Sequence, residues 1–333
     1  MPKKITILFD GTWNNGIEGN CDTNINALKL SISKVNQVQF YYVGVGENIG
    51  KVNRAVWGAF GKGVFGAVRK AWEDIANNYE DGDAIYIFGF SRGAFAARHL
   101  ASMIVRYGTS AYQGRIEDGF REYLANCHKS CENVKKEVHF LGLFDCVPGN
   151  YLYLLRNNSF HLNSSKLEKG ILHFRHAVSI NERRYSFRPI LFKKGAQQSF
   201  AQHWFPGYHS DVGGNRDNSL GLSSFSLWWM IREVYGLGLN FENIQCPNHF
   251  GGNNLGVILN VNPEEQPTSS DYFTTKLGIT WERQKREKEN LPSEQLGFEN
   301  LNICPRCGNE MFDYFSTDYG KMRLERMGLR DDI

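Results

Sequence analysis

Gly89-Phe90-Ser91-Arg92-Gly93 sets a serine between two glycines, and its flanks suggest what that serine can do. An apolar run of strand length, Ala84-Ile85-Tyr86-Ile87-Phe88, precedes it, and Ala94-Phe95-Ala96-Ala97 opens a helical stretch behind it. G-x-S-x-G between strand and helix is the nucleophile-elbow pattern. So tight a turn requires positions without side chains two residues before and two after the serine, and glycine meets that demand. The turn lifts the hydroxyl clear of the sheet edge, and the helix N-terminus behind it favours negative charge developing there. The other reading of these residues is a structural strand-to-helix turn.

A serine hydroxyl is a poor nucleophile until a base takes its proton. Of nine histidines, His99 lies two helical turns beyond Ser91 and is expected to pack on the helix. His128, His139, His161, His173 and His176 read as core or surface residues. His209 differs: it follows a strand-like run, has three glycines nearby and comes after the serine, as the Ser…Asp…His chain order requires. Between them, Asp145 ends an apolar strand at the edge where such sheets place their sites. Its role would be to accept from the far ring nitrogen of His209 and stabilise the imidazolium. The competing acid is Asp211, although a carboxylate two residues from the histidine more readily binds local backbone N–H groups. An oxyanion hole would take one N–H from Arg92 and a second from Gly11 or Thr12.

A second constellation lies further on. Cys246-Pro247-Asn248-His249 and Cys304-Pro305-Arg306-Cys307-Gly308 share a C-P-x-[CH] pattern. Two such loops would complete a closed site in which Cys246, His249, Cys304 and Cys307 hold a structural zinc ion. Four protein ligands leave no open position, so no cofactor is expected for catalysis. Unligated reduced thiols, or a redox pair at Cys304 and Cys307, are the alternatives. Neither Gly44-x-Gly46-x-x-x-Gly50 nor the glycines around Lys62 fit a dinucleotide or phosphate loop. The aromatic stretch over 55–65 reads as a loop packed beside the site or as a peripheral contact with a lipid surface.

The elements that must position these residues alternate. Strands are expected over 4–9, 38–45, 84–88, 138–144 and 199–205, and helices over 67–79, from the elbow to Arg106, over 171–180 and over 221–236. A glycine-rich connection is expected from Gly44 to Gly66. The alternation implies an α/β fold: a mostly parallel, α/β-hydrolase-like sheet with helices on both faces. Turn formers and a charged run after about residue 240 suggest a catalytic domain over 1–240 and a small C-terminal appendage over 241–333. The 333 residues are 41% hydrophobic and 22% charged, which is globular composition, and glycine is abundant at 34 residues. A net charge of +3 is too small to suggest nucleic acid as a partner. The apolar stretch behind Lys3-Lys4 is too short for a signal peptide, so a cytoplasmic start is expected. Oligomeric state is not written in the sequence.

Four blocks together are specific: Ile7-Leu8-Phe9-Asp10-Gly11-Thr12-Trp13-Asn14, the segment from Gly82 to Ala94, Gly142-Leu143-Phe144-Asp145, and the segment from Trp204 to Gly214. Over about residues 4–236 the chain resembles the catalytic domain of the type VI secretion phospholipase effectors and the broader α/β-hydrolase family around them. The resemblance implies a Ser-Asp-His hydrolase of carboxyl esters, with phospholipase A activity in the effectors and export independent of a signal peptide. Carried over by position, the triad falls on Ser91, Asp145 and His209. A lipid or other acyl ester is the expected substrate, and 111–124 and 147–160 are candidate lid or acyl-pocket segments. The rival readings are an intracellular esterase or thioesterase on a small soluble acyl compound, and a non-catalytic module on the same scaffold.

Overall fold

The computed structural model describes residues 2–11, 23–44, 56–109, 114–127, 129, 131, 133–148, 165–179, 182, 187, 189–197, 199–205, 207–214, 220–242, 244–245 and 257–258. The chain divides into two units, one of residues 1–20, 34–176 and 188–201, the other of 21–33, 177–187 and 202–333.

The first unit is built on parallel strands. They are β1 (Lys4–Phe9), β2 (Gln37–Tyr42), β3 (Ala84–Phe90) and β4 (Val138–Phe144). With β5 (Ile171–Ser179) and β6 (Ser199–Phe205) they form one six-stranded sheet in the order β2-β1-β3-β4-β5-β6. β1 pairs in parallel with β2 on one side and β3 on the other, aligning Ile5 with Ile85 and Ile7 with Ile87, and β3 pairs in parallel with β4. Chain order reverses at β1, which places a crevice at the carboxyl ends of β1 and β3. β1, β3 and β4 are apolar and buried along nearly their whole length, because helices cover such strands on both faces.

Among the described residues this unit holds the helices α2 (Val56–Asn78), α3 (Arg92–Tyr107) and α4 (Ile116–Asn126). On α2, Val64, Val68, Ala71, Trp72 and Ile75 recur at helical spacing and are buried. The Trp72 indole N–H donates to the Gly108 carbonyl at 2.9 Å, fastening α2 to the end of α3. α3 is buried from Gly93 to Val105, so it is a core helix and not a surface one. Its C-terminal Arg106 donates to Glu168 at 2.6 Å and to the Lys129 carbonyl at 2.6 Å. At the start of the chain, Lys3 pairs with Asp83 at 2.8 Å, and the Asp83 carboxylate also accepts the backbone N–H groups of Lys3 and Glu80.

Two sequence expectations are corrected. Residues 171–179 form β5 and not a helix. The run is buried along most of its length, and a strand covered on both faces loses the alternation that would distinguish it from a helix. The helix expected from residue 67 begins at Val56, inside the stretch expected to be a connection. The described part of 111–124, from residue 114 onward, holds α4. α4 buries Phe120 and Tyr123 in the same cluster as Phe65, Phe95 and Leu100.

In the second unit, α1 (Asn24–Ser31) starts at Thr23, whose hydroxyl accepts the Asn26 N–H at 3.0 Å. The Asn24 side-chain amide donates to the Val212 carbonyl at 2.9 Å and the Ser223 carbonyl at 3.0 Å. That one amide joins α1 to α5 (His209–Gly213) and α6 (Leu220–Tyr235). Trp229 of α6 packs on Phe205 with ring centroids 5.4 Å apart. β7 (Ile244–Gln245) and β8 (Val257–Ile258) form a separate parallel pair.

Candidate active site

β3 delivers Ser91 to the sheet edge with φ 59° and ψ −124°, outside the regions that L-residues ordinarily occupy. The flanking glycines explain how the turn closes. A Cβ on Gly89 would lie 2.4 Å from the Gly93 carbonyl oxygen and 2.6 Å from Ala94 Cα. One on Gly93 would lie 2.4 Å from the Phe9 carbonyl oxygen and 2.5 Å from that of Asp10. Each obstacle is backbone, so no rotamer relieves it. The missing side chains let the end of β1 pass against the start of α3. Ser91 opens α3 without donating or accepting a side-chain capping bond. Its backbone is bracketed by the chain after β4: the Ser91 N–H donates to the Phe144 carbonyl at 3.0 Å, and the Val147 N–H donates to the Ser91 carbonyl at 3.3 Å.

Asp145 lies inside that bracket, fully buried and with φ 38°. Next to it, the Cys146 N–H donates to His176 Nε2 at 3.0 Å, and burial raises the Cys146 thiol far above its ordinary range. The first unit thus brings together Ser91, Arg92, Asp145 and the Gly11 turn. Burial lowers the Arg92 guanidinium to about 10, which leaves it charged at neutral pH.

Gly11 stands against the Phe90 ring, where a Cβ would come within 2.7 Å of Cδ1. Its N–H, one of the expected oxyanion donors, donates to Oδ1 of the preceding Asp10 at 2.6 Å. The other Asp10 oxygen accepts the Tyr41 hydroxyl at 2.5 Å. Asp10 is a buried acid at the site end of β1 to which the sequence assigned no role. Thr12, the alternative donor, lies outside the described residues.

The second unit holds His209 as the first residue of α5, only 5% exposed. Its ring meets Phe187 edge-to-face, with centroids 4.7 Å apart. Its backbone N–H donates to Glu182 Oε2 at 3.3 Å, and Glu182 is fully buried. Asp211, the competing acid, accepts the Tyr208 N–H at 2.7 Å as a local cap. Gly207 makes room for that carboxylate, since a Cβ there would lie 2.4 Å from Asp211 Cβ. The sequence assigns Glu182 no role, because its partner, the His209 N–H, lies 27 residues on and only folding brings the two together. As a strand, β5 puts Glu182 just past its carboxyl end, where sheets of this class carry functional side chains.

Cys246, His249, Cys304 and Cys307 lie outside the described residues, as does most of 147–160. Among the described residues, no group of three or more His, Cys, Asp or Glu side chains could hold a metal ion. Among the same residues, no helix is long and apolar enough to cross a membrane.

The model of the family described as "T6SS, Phospholipase effector Tle1-like, catalytic domain" matches residues 3–129 and 111–233. The chain is 30% identical to Uncharacterized protein YEL023C of Saccharomyces cerevisiae over 228 residues. That match covers 57% of this chain and 33% of the yeast protein, so the chain spans about a third of that relative's length. A crystal structure of an uncharacterized protein from Pseudomonas aeruginosa is similar at a TM-score of 0.46 and 19% identity. It covers 78% of this chain and 49% of its own.

Proposed function

The chain belongs to the type VI secretion phospholipase effector Tle1-like catalytic-domain family, and on that premise we propose that it hydrolyses carboxyl esters of lipids with Ser91 as nucleophile, His209 as base and Asp145 as the acid that orients the base. Phospholipids are the leading substrates, cleaved in the manner of a phospholipase A to a fatty acid and a lysophospholipid. The observation that carries the reading is the conformation of Ser91. A positive-φ serine costs about 1–3 kcal/mol, and at 59° the strain sits on the one side chain of the elbow able to attack a carbonyl.

In the first half-reaction His209 takes the Ser91 proton and Oγ bonds to the ester carbonyl carbon. Backbone N–H groups of Arg92 and of Gly11 or Thr12 stabilise the oxyanion. For Gly11 to serve, its N–H must exchange Asp10 for the oxyanion. The imidazolium then gives its proton to the departing alcohol, leaving an acyl-serine. Water, deprotonated by the same imidazole, releases the acid and restores the hydroxyl. The family's type VI character supports export without a signal peptide, and the 55–65 segment is the proposed peripheral contact with lipid. The Cys246, His249, Cys304 and Cys307 set is proposed as a closed zinc site outside the chemistry.

Mass spectrometry of a lipid extract incubated with the wild type and with Ser91→Ala tests the reading. The expected result is accumulation of free fatty acid and lysophospholipid with the wild type alone. Covalent labelling by a fluorophosphonate should be lost in Ser91→Ala. A folded wild-type protein that neither labels nor produces lysolipid overturns the hydrolase reading. Labelling with turnover of short monomeric esters only would replace the lipid substrate with a soluble one.

A further inference from the structure

We propose that Glu182 is a positioning residue for His209, holding its backbone while Phe187 holds its ring; this rests on His209 being the base. Glu182 is a carboxylate with no exposure to solvent. Burying such a group is costly unless it is paired, so its partners indicate what it is there to hold. One partner is the His209 N–H at 3.3 Å, 27 residues away in the chain.

That N–H belongs to the first turn of a helix, where backbone donors lack intrahelical acceptors. Yet α5 is five residues long and already has Asp211 as a local cap on Tyr208. A fully buried acid brought from 27 residues away exceeds what so short a helix needs. The same short segment also supplies Phe187, whose ring stands against the imidazole at 4.7 Å. Residues 182 and 187 therefore grip His209 at two places, the backbone through a charge-assisted hydrogen bond and the ring through an aromatic edge. A base so held arrives at the hydroxyl in one orientation.

The test compares wild type, Glu182→Gln, Phe187→Leu and His209→Ala on a lipid ester in mixed micelles. Active sites are counted by fluorophosphonate titration. Glutamine keeps an acceptor oxygen for the N–H and removes the charge. The expected result is kcat per titrated site lower by about tenfold with KM unchanged. Wild-type kcat per titrated site overturns the proposal. So does a loss confined to the number of titratable sites, which would mark Glu182 as structural only. Should Glu182→Gln not fold, Phe187→Leu carries the test: kcat should fall several-fold at constant KM, and an unchanged kcat overturns the grip. His209→Ala separates the two readings. If it still labels at the wild-type rate, His209 is not the base and the proposed mechanism fails, whatever Glu182 does.

Discussion

Ser91, at φ 59° and ψ −124°, occupies backbone geometry that glycine tolerates and serine does not. The residue that makes the elbow reactive is therefore also one that strains it. Ser91→Gly should raise stability by about 1 kcal/mol over Ser91→Ala, since only glycine relieves the dihedral while both remove the hydroxyl. Denaturant midpoints of the two variants check this, and equal midpoints would mean that the strain is not stored there. The elbow was legible in the sequence because its strand, turn and helix are contiguous and the obstacles to a Cβ on Gly89 are the nearby backbone of Gly93 and Ala94; the obstacle at Gly93, the end of β1, comes only with folding. Asp10 was not legible. Its significance comes from Tyr41 and the Gly11 N–H, and only folding brings Tyr41, 31 residues on, to it.

At the scale of elements, β1 enters the sheet beside the half-buried ion pair of Lys3 and Asp83. Burial alone would push the Asp83 carboxyl up, but the Lys3 ammonium and the backbone N–H groups of Glu80 and Lys3 together hold it below its ordinary value. A carboxylate depressed in the folded state contributes stability above its unfolded value near 4, and that contribution is lost as pH falls through the lower folded value. Asp83→Asn should therefore destabilise the protein at neutral pH by about 1–3 kcal/mol. The difference from wild type should shrink as pH falls below about 4 and vanish below the lower folded value, where both side chains are neutral. Thermal unfolding at pH 7 and pH 3 measures it, and an equal deficit at both values would count against the ion pair. Among the elements, β1, β3, β4, β6 and α3 could be read directly, because apolar runs of strand length and a helical repeat behind the elbow are unambiguous. β5 could not, since nine residues buried nearly throughout carry neither a helical nor an alternating pattern.

At the scale of the whole molecule, the family match runs from residue 3 to residue 233 and stops short of the cysteine pairs. If those pairs bind zinc as proposed, the metal contributes to stability and not to chemistry. Elemental analysis should find about one zinc per chain, as a Cys3His set requires. Chelation should then lower the unfolding temperature while fluorophosphonate labelling of Ser91 persists in the protein that remains folded. Metal-free protein with an unchanged melting temperature would leave the cysteines as reduced thiols.

By itself the sequence determined the α/β class, the elbow and the order of its candidate partners. These rest on short-range rules: which residues tolerate a tight turn, which runs suit a strand, which types can accept a proton. The tertiary structure alone decided which acid touches which residue. Asp211 turned inward to cap its own helix, Asp145 fell beside the Ser91 backbone, and Glu182, just past β5, reached His209. A buried carboxylate takes its partner from whatever the packing of the chain brings within three or so ångströms, and spacing along the sequence does not encode that distance.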